Sequence, residues 1–340
     1  MEVYIDKNFV LNYWAVSKNE APFLNFENEF LKHPNLYTII TNFESLEEIL
    51  ESEEASLFFN DIIQETKVAD IVYLPQLNDK ECLESCLQNG GFKMFLMEYD
   101  NTSTQYFEDQ YGFQFLSTQQ IQDKWSKFEG LKSIEKTIAL PTDCSDNDIF
   151  NSWKDLNFIS QFPNNSIVIS DKSHSQLKQN LLPLIEELIP NSYQGILYIS
   201  ILSEELLSQK KALSMNQRAV EVHQLLNRTF ARYKDMKIKF SVIGFDKYFN
   251  SGDQPTIHDR HIYTNYFTIK SGIGFNLFNN GNRKVEDSEV VIAFNFQRFN
   301  MKTIPAKING LKSYLKKMRK SDKLDVFKYY PVNFENSLLN

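Results

Sequence analysis

The chain has 340 residues, 42% hydrophobic and 24% charged, with a formal net charge of −8. That balance suits one large globular domain or two ordinary ones and excludes a disordered chain. With 28 phenylalanines and only 11 glycines, it favours an aromatic core over a glycine-rich phosphate loop.

Taken in order, Tyr4 to Val10 reads as a strand leading into a loop, and Met1–Asp6 has no signal-peptide pattern. Leu36–Thr41 is a short β-rich run, and Ser45–Glu53 is acidic with helical character. Val68–Leu74 reads as a strand. Asn78-Asp79 caps a helix running to about Gln88 and stopped by Asn89-Gly90-Gly91. Phe92–Met97 has strand length, and Tyr111–Leu116 reads as a short edge strand. This alternation predicts a small parallel sheet within residues 1–125. Ser117 to Asp148 is polar, so a domain boundary is expected near 125–150.

A second domain is expected over 150–330. Its predicted strands are Ser166–Ser170, Gly195–Leu202, Lys237–Ile243, Thr264–Ile269, Ile273–Leu277 and Val290–Phe296, which would make a mixed sheet. Its predicted helices are Ser175–Leu188, interrupted by Pro183, and a second opening at Ser203 with Glu204 and Glu205 in its first turn. That helical pattern continues towards Tyr233, and a last helix spans Asn309–Arg319. The predicted fold class is α/β in two domains, with flanking helices on the second sheet.

No apolar run reaches the roughly 18 residues that a membrane helix needs. The cysteines, Cys82, Cys86 and Cys144, are few and odd in number, as free thiols in a reducing, cytoplasmic compartment would be. Cys82 and Cys86 are four apart on a predicted helix, but zinc would need two further ligands and none is evident.

Charge is uneven. Residues 1–130 hold 8 basic and 23 acidic side chains, or −15, whereas the other 210 hold 28 and 21, or +7. One basic cluster is Lys210, Lys211, Arg218, Arg228, Arg232, Lys234, Lys237 and Lys239; the other runs from Lys302 to Lys323. Nucleic acid is the expected partner of the basic half, and a protein is the expected partner of the acidic half. An anionic membrane, a solvated helix face and docking of the basic half on the acidic half are the alternatives for the basic clusters.

The richest stretch in polar chemistry is Ile257 to Phe278. His258, Asp259, Arg260 and His261 precede a strand, and Lys270, Gly272 and Gly274 follow. Histidine can act as nucleophile or proton carrier, arginine presents a fork for phosphate oxygens, and glycine lets backbone approach a ligand. The expected phosphate-binding set is His258, Arg260, Asn265, Lys270, Gly272 and Gly274.

The stretch resembles the phospholipase-D signature, with His258 at its histidine, Arg260 at its lysine, Asn265 at its aspartate and Gly272 at its glycine. It departs from that signature at Arg260, Asn265, Ile273 and Phe275. It is more similar to the phospholipase-D-like domain at the C-terminus of MIT-domain proteins, through Ile257, His258, Asp259, Arg260, Ile262, Ile269, Lys270, Gly272, Gly274 and Phe278. That resemblance implies a non-catalytic fold that binds membrane lipids. A phospholipase-D enzyme needs two such motifs, so one degenerate copy implies a binding or homodimeric site.

In residues 1–120, Asp6, Asp79 and Asp100 stand near strand ends or helix starts, with Glu44, Glu47, Glu48 and Glu98 as further acids. Carboxylates at the ends of parallel strands converge on one sheet edge, where three or four can hold Mg²⁺ or Mn²⁺. Their order loosely resembles the PIN nuclease domain. That likeness implies Asp6, Asp79 and Asp100 as metal ligands and, with His258 and Arg260, as candidate catalytic residues for a phosphodiesterase or nuclease. Surface acids and helix caps are the plainer reading. The expected function is a nucleic-acid-directed accessory or effector protein, for example in bacterial anti-phage defence. The alternative is a non-catalytic module recognising a phosphorylated ligand, lipid or protein.

Overall fold

A four-residue strand, β1 (Glu2–Ile5), forms the middle of a five-stranded sheet. The computed structural model describes residues 1–15, 21–63, 71–88, 90–125, 134–138, 152–174, 177–206, 213–234, 236–245, 260–272, 274–279, 282–283, 288–319, 327–330 and 335–339. The chain divides into two α/β units. Unit 1 is residues 1–132 with 294–307, and unit 2 is residues 133–293 with 308–340. The returning segment 294–307 therefore leaves the 150–330 stretch and joins the first unit.

In unit 1, β1 is followed by α1 (Lys7–Tyr13), α2 (Ala21–Phe26), β2 (Thr38–Thr41), α3 (Leu46–Glu51) and α4 (Glu53–Ile63). Next come β3 (Ile71–Tyr73), α5 (Lys80–Gln88), β4 (Lys93–Leu96), α6 (Asn101–Tyr111) and β5 (Gln114–Leu116). The strand order is β3-β2-β1-β4-β5 and every pairing is parallel. A parallel sheet is covered on both faces, so its strands are apolar almost throughout, as the fully buried β4 shows.

Register is set by aromatic rings. Tyr4 pairs with Phe95, and Phe95 with Phe115, across the three strands. Their rings stack at 4.4 and 4.6 Å. Leu77, Leu83, Leu87, Met97 and Phe113 complete this side of the core.

Unit 2 contains β6 (Ile134–Ile138), β7 (Ser166–His174), α7 (Leu182–Leu188), β8 (Ile196–Leu206), α8 (Met215–Phe230) and β9 (Lys237–Phe245). The hairpin β10 (His261–Thr264) and β11 (Phe267–Ser271) follows, then β12 (Phe278–Asn279), β13 (Asn282–Arg283), β14 (Ser288–Phe294), α9 (Arg298–Arg319) and β15 (Phe327–Tyr330). Helix α9 begins in unit 1 and ends in unit 2. The eight-stranded sheet has order β15-β9-β8-β7-β10-β11-β14-β6. β7, β8 and β9 are parallel, while β10 runs antiparallel to β7. No helix among the described residues is long and apolar enough to cross a membrane.

Several elements differ from expectation. The chain after Ile5 is helical because the Asp6 carboxylate caps α1, accepting the Phe9 N–H at 2.6 Å. Ser203 opens no helix. It lies within β8, paired with Asp171 on β7 and Gly244 on β9, and two ladders override its capping tendency. The helix starts at Met215 instead, behind a Ser214–Gln217 capping box. Thr264–Ile269 is broken by the turn at Asn265-Tyr266, and Phe275–Leu277 form no strand. Helix α9 starts at Arg298 rather than Asn309, because Met301, Ile304, Ile308 and Leu315 make one buried face despite Pro305. Pro183 stands in the first turn of α7, where its missing N–H costs no bond.

Replacing Phe95 with alanine removes the middle ring of the stack, and a loss of about 3–5 kcal/mol is expected in urea unfolding. Phe95→Leu, which keeps most of the volume, is expected to cost about 1–2 kcal/mol. Equal losses for the two would show that volume and stacking do not hold this register.

Candidate functional site

The expected phosphate site is built at the carboxyl edge of β7 and the open end of the β10–β11 hairpin. His261 is in register with Ser170 on β7 and with Lys270 on β11, which places Arg260 beside Asp171 and Ser271. The Ser271 N–H donates to the Arg260 carbonyl at 3.1 Å. Arg260 Nε stands 3.8 Å from Asp171 Oδ1, and Arg260 Nη1 donates to the Gly272 carbonyl. The other Asp171 oxygen accepts the Phe275 N–H at 2.7 Å, and Ser271 Oγ donates to the Gly274 carbonyl at 2.6 Å.

Gly274 makes this approach feasible. Its φ is +93°, and a Cβ there would stand 2.7 Å from Asp171 Oδ1. Thus Arg260, Gly272 and Gly274 do share one hollow, and the anion within it is the carboxylate of Asp171. That residue was missed because nothing local to it signals the pairing. Asp171 is buried, and the nearby His174 is buried with no hydrogen-bond partner at Nε2. Burial, which favours the neutral imidazole, pushes the His174 pKa down, and the Asp171 charge opposes it.

Two expected members lie elsewhere. Asn265 is in the hairpin turn at the far end of β10, about 17 Å along the strand from Arg260. Its Oδ1 accepts the N–H groups of Asn165 and Ser166 at 2.9 and 3.1 Å, which pins the hairpin to the start of β7. Lys270 is exposed and one residue out of step with Ser271, so strand alternation sets it on the face opposite Arg260. His258 and Asp259 lie outside the described residues.

The expected metal ligands of unit 1 are separated by their local duties. Asp6 ends β1 and caps α1. Asp100 caps α6, accepting the Ser103 N–H at 2.9 Å and its hydroxyl at 2.8 Å, and these bonds hold its carboxyl below the usual range. Asp79 is exposed, and its carbonyl accepts the Leu83 N–H at the start of α5. Glu48 pairs with Lys7 and accepts the Glu44 N–H. Of these acids, Glu98 neighbours Asp6 electrostatically. Among the described residues, no group of three or more His, Cys, Asp or Glu side chains is placed to hold a metal ion. Asp6, Asp79 and Asp100 are therefore not brought together as a ligand set.

A third feature has the geometry of a binding site. In unit 1, the loop before β2 and the first turn of α9 enclose a cleft of about 650 Å³. Its walls include Lys32, His33, Arg298, Phe299 and Lys302, with Glu29 as the one acid. The Phe299 side chain is 76% exposed. Arg298 and Lys302 are four apart and share one helix face in the first turns of α9, where the helix dipole also favours anions. Of these residues only Lys302 stood out in the sequence, as one member of a basic run. The exposed aromatic and the approach of Lys32 have no local signature.

The basic cluster from Lys210 to Lys239 is partly neutralised within unit 2. Arg232 pairs with Glu186, Lys239 pairs with Glu335 at 2.8 Å, and Arg218 donates to the Leu206 carbonyl at 2.9 Å. Neither a family model nor a curated protein matches this chain.

Burial raises the Asp6 pKa to about 6, helped by the Glu98 charge and opposed by hydrogen bonds from Phe9, Glu98 and Asn78. The folded protein then holds a proton that the unfolded chain releases. This contribution to stability is complete below about pH 4 and is lost as pH rises through about 6. Asp6→Asn keeps the cap acceptor and removes the titration. Urea unfolding between pH 4 and 7 is expected to show a decline roughly 2–3 kcal/mol smaller in the variant than in the wild type. Parallel curves for the two proteins would contradict the assignment. Gly274→Ala is expected to lose about 1–3 kcal/mol, from strain at positive φ and displacement of Asp171. Unchanged stability would show that the carboxylate is free to move.

Proposed function

We propose that the protein binds single-stranded nucleic acid in the unit 1 cleft, without cleaving it. The exposed ring of Phe299 among Lys32, Arg298 and Lys302 is the observation that carries this reading. A base can stack on an exposed aromatic face while neighbouring cations meet the phosphates, and this combination tolerates any sequence. Lys32, which also pairs with Glu27 at 4.0 Å, joins Arg298 and Lys302 against Glu29 in the cleft lining, which leaves the cleft locally positive. It belongs to a unit whose first 130 residues carry 23 acids and 8 bases. Acidic surroundings repel a polyanion elsewhere on that unit, so binding is confined to the cleft.

The Arg260 hollow supports phosphate recognition less well, since Asp171 already neutralises its guanidinium. The nuclease reading is likewise weaker than binding, because Asp6 and Asp100 are engaged in helix capping and no three acids among the described residues are grouped to hold a metal ion.

Fluorescence anisotropy with a labelled oligonucleotide tests the proposal. Three phosphate contacts predict that log K falls against log salt with a slope of about −2. Phe299→Ala is expected to weaken binding by about 1–3 kcal/mol while leaving that slope unchanged. Arg298→Glu with Lys302→Glu is expected to abolish binding at moderate salt. Full binding by that double variant would overturn the assignment. Full binding by Phe299→Ala alone would remove the stacking role.

A further inference from the structure

The amino edge of the unit 1 sheet holds chemistry that nucleic-acid binding does not use. Lys93 begins β4 opposite Glu2, and its side chain is 1% exposed. Its ammonium donates to the Cys86 carbonyl at 2.5 Å and lies 5.6 Å from the ring centres of both Tyr4 and Phe113. Burying an ammonium is costly unless a counter-charge is close. The nearest carboxylate is Glu2, at 3.6 Å with 44% of its side chain exposed, and it also accepts the Tyr4 hydroxyl at 2.8 Å.

Two thiols stand beside this cation. Cys82 and Cys86 are four residues apart on α5, so they share a helix face with Cβ atoms about 5–6 Å apart. Both are free and half-buried. Cys86 interacts with Cys82, with the Lys93 charge and with the Tyr4 hydroxyl. Burial and Cys82 push the Cys86 thiol up, while Lys93 and Tyr4 act in the opposite direction.

We propose that Cys82 and Cys86 form a two-coordinate site for a soft monovalent ion, Cu(I) or Ag(I), with Lys93 as its counter-charge. Thiolates select such ions, and these closed-shell ions accept two sulfurs in a linear arrangement. Zinc asks for about four ligands, and no third His, Cys, Asp or Glu joins the pair among the described residues. Binding converts two thiols and one cation into a bis-thiolate complex of charge −1 and releases two protons. The Lys93 ammonium, bonded to the Cys86 carbonyl, offsets that charge.

The test uses full-length reduced protein carrying Cys144→Ser, which leaves only these two thiols. Cu(I) is titrated in competition with bathocuproine disulfonate, and the Ag(I) complex is counted by native mass spectrometry. One tightly held ion per chain is expected, lost in Cys82→Ser and in Cys86→Ser. Lys93→Met, with its fold checked by circular dichroism, is expected to weaken Cu(I) binding by about 10–100-fold. No ion retained by the two-thiol protein, or an ion retained when both are serine, overturns the site. Unchanged affinity in a folded Lys93→Met protein overturns the role of the lysine. Oligonucleotide binding is unaffected in every case, so this test and that of the cleft fail separately.

Discussion

Three stacked rings hold unit 1 in register. Tyr4, Phe95 and Phe115 occupy paired positions on adjacent parallel strands, and side chains on a strand alternate with period two. A slip of one residue between β1 and β4 would turn Phe95 away from both partners and send its neighbours to the wrong face. With the register held, Asp6 falls at the carboxyl edge beside the end of β4. Glu2 and Lys93 fall together at the amino edge. The chemistry of both edges therefore depends on one aromatic ladder, drawn from a chain unusually rich in phenylalanine.

Unit 2 shows how a stretch full of binding-type residues can serve the fold. Arg260, Gly272 and Gly274 converge, as a phosphate hollow requires. A buried carboxylate from β7 meets them there, bonded to the Phe275 N–H. An arginine fork and an inward-turned backbone N–H are suited to any oxyanion, and a side-chain carboxylate on the same sheet has a far higher effective concentration than a free ligand. Arg260 thereby compensates a buried charge that would otherwise be costly. Asn265 has a similar structural duty at the far end of the hairpin.

Charge sorts in the same way. Arg232 and Lys239 find carboxylates within unit 2, and such surface pairs add little stability but reduce the field available to a partner. At the start of α9 the cations instead line an open cleft with an exposed ring among them. Net charge by half-chain therefore indicates less than which basic side chains remain turned towards solvent.

Short apolar runs, the helix stop at Asn89-Gly90-Gly91 and the alternation of strand with helix were legible in the chain, because they report energies local to a few residues. They sufficed for two α/β units. Ser203 was misread because its capping tendency is local, whereas its place between β7 and β9 is not. Asp171 against Arg260, Lys32 near Arg298 and Lys93 beside Cys86 were decided only by tertiary structure. Each pairing depends on strands, helices and loops brought together by the burial of rings elsewhere, and no pattern near either partner encodes that approach.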